Sequence, residues 1–177
     1  MGTWCEQSIG TKFGCLAAFI LIGLPLSAVQ YKYFASARSK SRQVQCLTHL
    51  KQLSAALLRY ADAHQHHLPA AENWRGAVRP YLKPDEDLTC PDAKTGDGYA
   101  FEPRLSNVDL RLLEFPAETI LLYETDVPDQ KPHPPVAELR HFHPNTAFAD
   151  GRVKSAFWDH QKALHARNDE LLKKVQR

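Results

Sequence analysis

His141 and His143 are separated by one residue, so on an extended strand both imidazoles fall on the same face. With Glu124, Asp126 or Asp150 alongside, such a pair supplies the nitrogen and oxygen donors of a small divalent-metal site. His141, His143, Glu124 and Asp150 are the candidate ligand set. The competing reading of the same residues is structural: Asp150 precedes Gly151 in a turn signal, and a histidine can hydrogen-bond a carbonyl. A hydrolase at this place would need an open coordination position and a base as well. No Gly-x-Ser-x-Gly elbow, Walker loop, His-Glu-x-x-His helix, EF-hand loop or dinucleotide-binding glycine pattern occurs. The expectation is a non-enzymatic protein with no cofactor beyond a divalent metal. His64, His66 and His67 form a second cluster, but histidines at a helix C-terminus also interact favourably with its dipole.

The four cysteines fall into two pairs, Cys5 and Cys15 before or within an apolar run, Cys46 and Cys90 beyond it. Without a Cys-x-x-Cys spacing, a thiolate zinc site or a thioredoxin-type motif has little support. If the domain sits outside the cytoplasm, Cys46 and Cys90 can pair and close a loop of about 45 residues, worth several kcal/mol in the chain-entropy estimate. Otherwise they are two small buried thiols. Spacing alone does not choose between these states.

The elements that must position these residues begin with Phe13 to Tyr31, an uncharged run that would span about 28 Å as a helix, close to the thickness of a hydrocarbon core. Residues 1–12 form a short polar tail, 13–31 a single transmembrane segment, and Pro25 predicts a kink that membrane helices tolerate. A secretory signal cleaved at Ala35-Ser36-Ala37 is the rival reading, although Tyr31 to Phe34 intervene. Lys12 precedes the run, whereas Lys32, Arg38, Lys40 and Arg42 follow it, which by charge alone holds the C-terminal side in the cytoplasm. Formal net charge is only +2, with 22 basic and 20 acidic residues among 177, so no global field favours nucleic acid.

Residues 32–68 continue the helix as an amphipathic segment. Cys46, Leu50, Leu53, Leu57, Tyr60, Ala61, His64 and Leu68 share one face, while Thr48, Lys51, Gln52, Arg59 and Asp62 lie opposite. Leu68-Pro69 predicts the helix end, because a residue before proline is pushed out of the α region. The apolar stripe needs a partner, and the strand-like segments that follow need a surface. An intramolecular core satisfies both.

Arg42 to Leu53 (RQVQCLTHLKQL), continuing through Leu57-Leu58-Arg59-Tyr60-Ala61-Asp62 to Leu68-Pro69, resembles the first helix of bacterial prepilin-like proteins, with His49 where an asparagine is usual. Trp74, Pro80-Tyr81-Leu82 and Leu88-Thr89-Cys90-Pro91 fit the same pattern. His141 to Gly151, followed by Arg152-Val153, resembles the histidine, nine-residue, Asp-Gly motif of processing-associated members, with eight residues between His141 and Asp150. The resemblance covers roughly Arg42 to Phe157. It implies likeness to type IV pilins and to the pseudopilins of type II secretion, whose domains face away from the cytoplasm. A leader cut after Gly14 would place Phe19 where pilins carry glutamate, so a fixed anchor or a minor, non-polymerising subunit fits better.

Further along, Ala71 to Leu82 predicts a short helix burying Trp74, Val78, Tyr81 and Leu82. Lys94 to Gly98 predicts a turn, and Gly98 to Leu105 a strand interrupted at Pro103. Thr119 to Glu124 predicts a well-covered central strand. Asp126 to Pro135 reads as an exposed loop. Asn145 to Ala149 and Arg152 to Phe157 flank Asp150-Gly151, a two-residue turn signal in which both central residues tolerate positive φ. Asp159 to Gln176 predicts a C-terminal helix capped by Asp159, its apolar face (Ala163, Leu164, Leu171, Leu172, Val175) thin enough for loose surface packing.

Together these readings give an α+β fold of pilin-like layout. A long N-terminal helix packs on a small antiparallel sheet, residues 69–158 form the globular domain, and 159–177 form the C-terminal helix. The expected role is a structural or assembly component of a bacterial envelope or secretion system. It would sit single-pass in the inner membrane with its domain extracytoplasmic, and its partners would be the lipid bilayer and other pilin-like or secretion-system subunits. The alternative is a membrane-tethered metalloprotein or hydrolase using His141 and His143.

Overall fold

The computed structural model describes residues 9–84, 88–94, 96–126, 144–155 and 158–175, with side chains from Tyr31 onward apart from those of 32, 158, 159, 161 and 175. The chain divides into two units, Met1–Ser41 and Arg42–Arg177. Its first element, helix α1, runs Ile9–Ala63 and contributes to both. Helix is continuous across Pro25 and between Tyr31 and Arg42. In the first unit every described side chain is exposed, Tyr31, Tyr33 and Phe34 at 70% or more. Among the described residues no helix is long and apolar enough to cross a membrane. The span predicted at 13–31 lies outside the described side chains except for Tyr31, as do Cys5, Cys15 and the leader site at Gly14.

In the second unit, α1 buries the face that its period marks out. Cys46, Leu50, Leu53, Leu57 and Ala61 are at most 1% exposed, and Leu68 just past the helix joins them. Two small residues, Ser54 and Ala56, are buried beside them. The helix stops five residues before the predicted Leu68. Gln65 and His66 adopt left-handed φ of 55° and 67°, and the His66 N–H reaches back to the Ala61 carbonyl at 2.7 Å. That six-to-one bond is a Schellman-type cap, so the chain turns before the proline can act. His64 therefore leaves the apolar face and is exposed, and Tyr60 is half-buried.

Beyond the cap, Ala71–Asn73, helix α2 (Trp74–Val78) and Arg79–Tyr81 form a short helical run whose Ala71, Trp74 and Val78 join the core. Four strands follow: β1 Tyr99–Phe101, β2 Ile120–Glu124, β3 Asn145–Phe148 and β4 Val153–Ser155. They pair antiparallel in the order β1-β2-β3-β4. Glu124 stands opposite Tyr99, and Tyr123 opposite Thr146. The β1–β2 connection holds two single helical turns, Pro103–Leu105 and Leu110–Leu112, capped by the Glu102 and Asp109 side chains.

The β3–β4 hairpin differs from the predicted two-residue turn. Gly151 N–H bonds the Phe148 carbonyl, Phe148 N–H bonds the Arg152 carbonyl, and of Asp150 and Gly151 only Gly151 has positive φ, at 84°. This is a three-residue loop ending in a left-handed glycine. Ala149 enters the turn because its N–H is already committed to the Thr119 carbonyl of the neighbouring segment at 2.9 Å.

Every described residue of β1, β2 and β3 is buried, because the sheet is covered on both faces. One face, with Tyr99, Phe101, Leu122 and Ala147, packs on α1. The other carries Ala100, Ile120, Tyr123 and Phe148, against which Leu164 of helix α3 (Trp158–Val175) packs. The fold is α+β, an antiparallel sheet between the second half of a long helix and a C-terminal one. That last helix is not loosely laid: Leu171, Leu172, His165 and Asn168 are all buried, although Ala163 is exposed.

Candidate functional site

The densest chemistry among the described residues lies where β2 ends and β3 begins, over the part of α1 that carries Cys46. Cys46 comes from the buried face of the helix and Cys90 from the segment after Leu88, and the two are joined in a disulfide with Cα atoms 5.1 Å apart. Both are buried. The Tyr99 hydroxyl donates to the Cys46 carbonyl at 3.1 Å, and the Cys90 N–H donates to the Asp97 carbonyl at 2.9 Å.

Glu124 completes this group. Its register opposite Tyr99 turns it to the α1 face, where it is fully buried. A carboxylate oxygen of Glu124 and the two sulfurs lie within 4.8 Å of one another. Asn145 fixes the carboxylate from the facing strand, its N–H donating to Oε2 at 3.2 Å and its Nδ2 to Oε1 at 2.8 Å. The same Nδ2 reaches the Gln43 carbonyl at 3.5 Å, and Gln43 Nε2 donates to Ser155 Oγ at 3.0 Å, so strands β3 and β4 are tied to the helix here. An ion pair between Arg42 and Asp92 at 2.7 Å ties the Cys90 segment to the same turn of α1.

Of the predicted metal ligands, His141 and His143 lie outside the described residues. Glu124 and Asp150 are not brought together. Glu124 sits beside Asn145 at the start of β3, whereas Asp150 lies in the turn past its other end, five residues or about 16 Å along an extended chain. No single ion reaches both. Asp150 instead accepts from the Arg152 N–H at 3.0 Å and pairs with the Arg152 guanidinium. Asp126 accepts from the Lys94 N–H at 3.2 Å. His64 stacks on Tyr60 with ring centroids 3.8 Å apart and hydrogen-bonds its carbonyl, and His66 lies 3.8 Å from Asp62. These histidines finish the helix and do not converge on a common point.

A second polar group went unread in the sequence. Asn168 of α3 accepts the Ile120 N–H of β2 at 2.8 Å and donates to Glu102 Oε2 at 3.3 Å. Arg104 bridges the fully buried Glu102 at 2.8 Å and Asp169 of α3 at 2.7 Å. Burial works against the Arg104 charge, but hydrogen bonds to Glu102 and then Asp169 outweigh it and raise the guanidinium above its ordinary value. Arg75 shows the reverse balance, its burial beside Asp97 lowering it. A groove of about 200 Å³ near Arg75, lined by Leu53, Val78, Leu82 and Leu88, is smaller than ordinary ligand pockets of about 300–1,000 Å³.

Comparison with protein-family models, curated proteins and solved structures finds no match for this chain.

Proposed function

We propose that this chain is a membrane-anchored, pilin-like or pseudopilin-like assembly component of a bacterial envelope or secretion apparatus, single-pass in the inner membrane and non-enzymatic. The observation that carries the reading is α1. One continuous helix holds an uncharged N-terminal run, then exposed aromatic residues, and then a face buried in the core it shares with an antiparallel sheet. Tyr31, Tyr33 and Phe34, with basic residues at 32, 38, 40 and 42, have the composition of a membrane-water interface. The bilayer and other pilin-like subunits are its partners in this reading, and nucleic acid is not.

The disulfide supports an extracytoplasmic domain, since such bonds persist in oxidising compartments. The test is protease added to intact spheroplasts. Digestion of the domain down to the anchor is the expected result, and full protection overturns export.

A further inference from the structure

We infer that, once the disulfide is reduced, Cys46, Cys90 and Glu124 form a buried site for a thiophilic divalent cation of the zinc class. The three residues arrive from three elements far apart in sequence: the buried face of α1, the segment after Leu88, and the end of the central strand β2. Their donor atoms already lie within 4.8 Å of one another. Zinc takes thiolate sulfur at about 2.3 Å and carboxylate oxygen at about 2.0–2.2 Å, which sets tetrahedral donors roughly 3.3–3.8 Å apart. Parting the two sulfurs to that spacing needs side-chain rotation and no transfer of an element. Helix and strand fix two of the ligands, and the Cys90 segment supplies the adjustment.

Glu124 is held as a metal-binding carboxylate usually is. Asn145 gives one hydrogen bond to each of its oxygens, which orients the carboxylate. Asn145 Oδ1 is buried with no hydrogen-bond partner among the described residues, and it or a water can take the fourth position. Two thiolates and one carboxylate select zinc-like ions over magnesium or calcium, which prefer all-oxygen shells.

The chemistry balances as follows. A dithiol, itself closing to a disulfide, or a phosphine, which with one water becomes its oxide, delivers two electrons and two protons to the S–S bond, which breaks to give two thiols. The cation then displaces both thiol protons to solvent and binds the thiolates with the Glu124 carboxylate. An oxidising disulfide that takes up the two electrons and is itself reduced to a dithiol re-forms the Cys46–Cys90 bond and releases the ion, so the dithiol-disulfide balance of the compartment sets occupancy. Before export, or permanently if the basic residues after the apolar run hold the domain in the cytoplasm, the reduced form is the relevant one.

This inference does not depend on the pilin-like reading; protease access tests that one and metal content tests this one. The experiment uses the full chain in detergent micelles, reduced with a phosphine under argon and titrated with Zn²⁺ and, separately, Co²⁺. One ion per reduced chain is expected, with a thiolate-to-cobalt charge-transfer band and two of the chain's four thiols withdrawn from a thiol reagent. The oxidised chain should bind none. Glu124→Gln keeps the shape and should weaken binding by at least about tenfold while the charge-transfer band survives. Cys90→Ser should abolish both. If the reduced chain loses helicity, the ion should restore the circular dichroism. A reduced chain in which all four cysteines titrate as thiols but which holds less than about a tenth of an ion overturns the site. Unchanged affinity in Glu124→Gln overturns the three-ligand assignment.

Discussion

The two faces of the sheet are covered by helices in different ways. Against α1 the interface is mainly apolar: Leu50, Leu53 and Leu57 share one buried cluster with Phe101, Leu122 and Ala147, while the Cys46–Cys90 link and the hydrogen bonds of Tyr99, Asn145 and Gln43 gather at one end. Against α3 the described apolar contact is smaller, and buried polar groups do much of the fastening. Asn168 joins Ile120 to Glu102, Arg104 joins Glu102 to Asp169, and His165 meets Tyr123 edge to face. Apolar packing is non-directional and forgiving of small shifts, whereas a buried amide must find its partners or cost stability. The first face is held mainly by area, the second mainly by register.

Substitutions separate the two modes. Leu57→Ala, at a fully buried position on the α1 face, should lower stability by about 2–5 kcal/mol, read as a fall in the urea midpoint. A loss under about 1 kcal/mol would mean that this face carries less than its burial implies. Asn168→Ala should cost about 1–3 kcal/mol, because the Ile120 N–H and Glu102 lose a partner. Hydrogen exchange should speed up in α3 before it does in α1. Uniform acceleration across both helices would show that the two faces open together and would erase the distinction.

The smallest effect concerns pH. Hydrogen bonds from the Arg111 side chain and backbone hold the Asp109 carboxyl well below the ordinary carboxylate range, with His67 adding slightly. The folded value is depressed, so the contribution is present above the unfolded value of about 3.9 and is lost as pH falls towards the folded one. The melting-temperature gap between the wild type and Arg111→Ala should therefore narrow between about pH 5 and pH 2.5. A gap that does not change with pH would remove electrostatics from that turn.

The same division explains what could be read from the sequence. The buried face of α1 was legible because Leu50, Leu53 and Leu57 repeat at helical spacing, and β2 was legible as an apolar run. Ser54 and Ala56 were not, being small residues that mark no period. Asn168 and His165 were hidden because polar residues count as exposed in any periodicity argument, although their burial docks α3. The cap escaped notice because Gln65 and His66 take left-handed angles usually left to glycine. The two-residue turn expected at Asp150-Gly151 failed because a bond from Ala149 to the neighbouring segment draws a third residue into the loop. The meeting of Glu124 with Cys46 and Cys90 depends on a strand register and on a contact across more than seventy positions, neither of which spacing encodes.

The link between Cys46 and Cys90 has one more implication, for the order of manufacture. The segment it encircles holds the last turns of α1, α2 and their connections, while all four strands and α3 come after Cys90. As the chain is synthesised, both sulfurs exist before the first strand does. A tether made at that moment ties only helical material, and each later strand is added to a platform whose earliest part is already fastened.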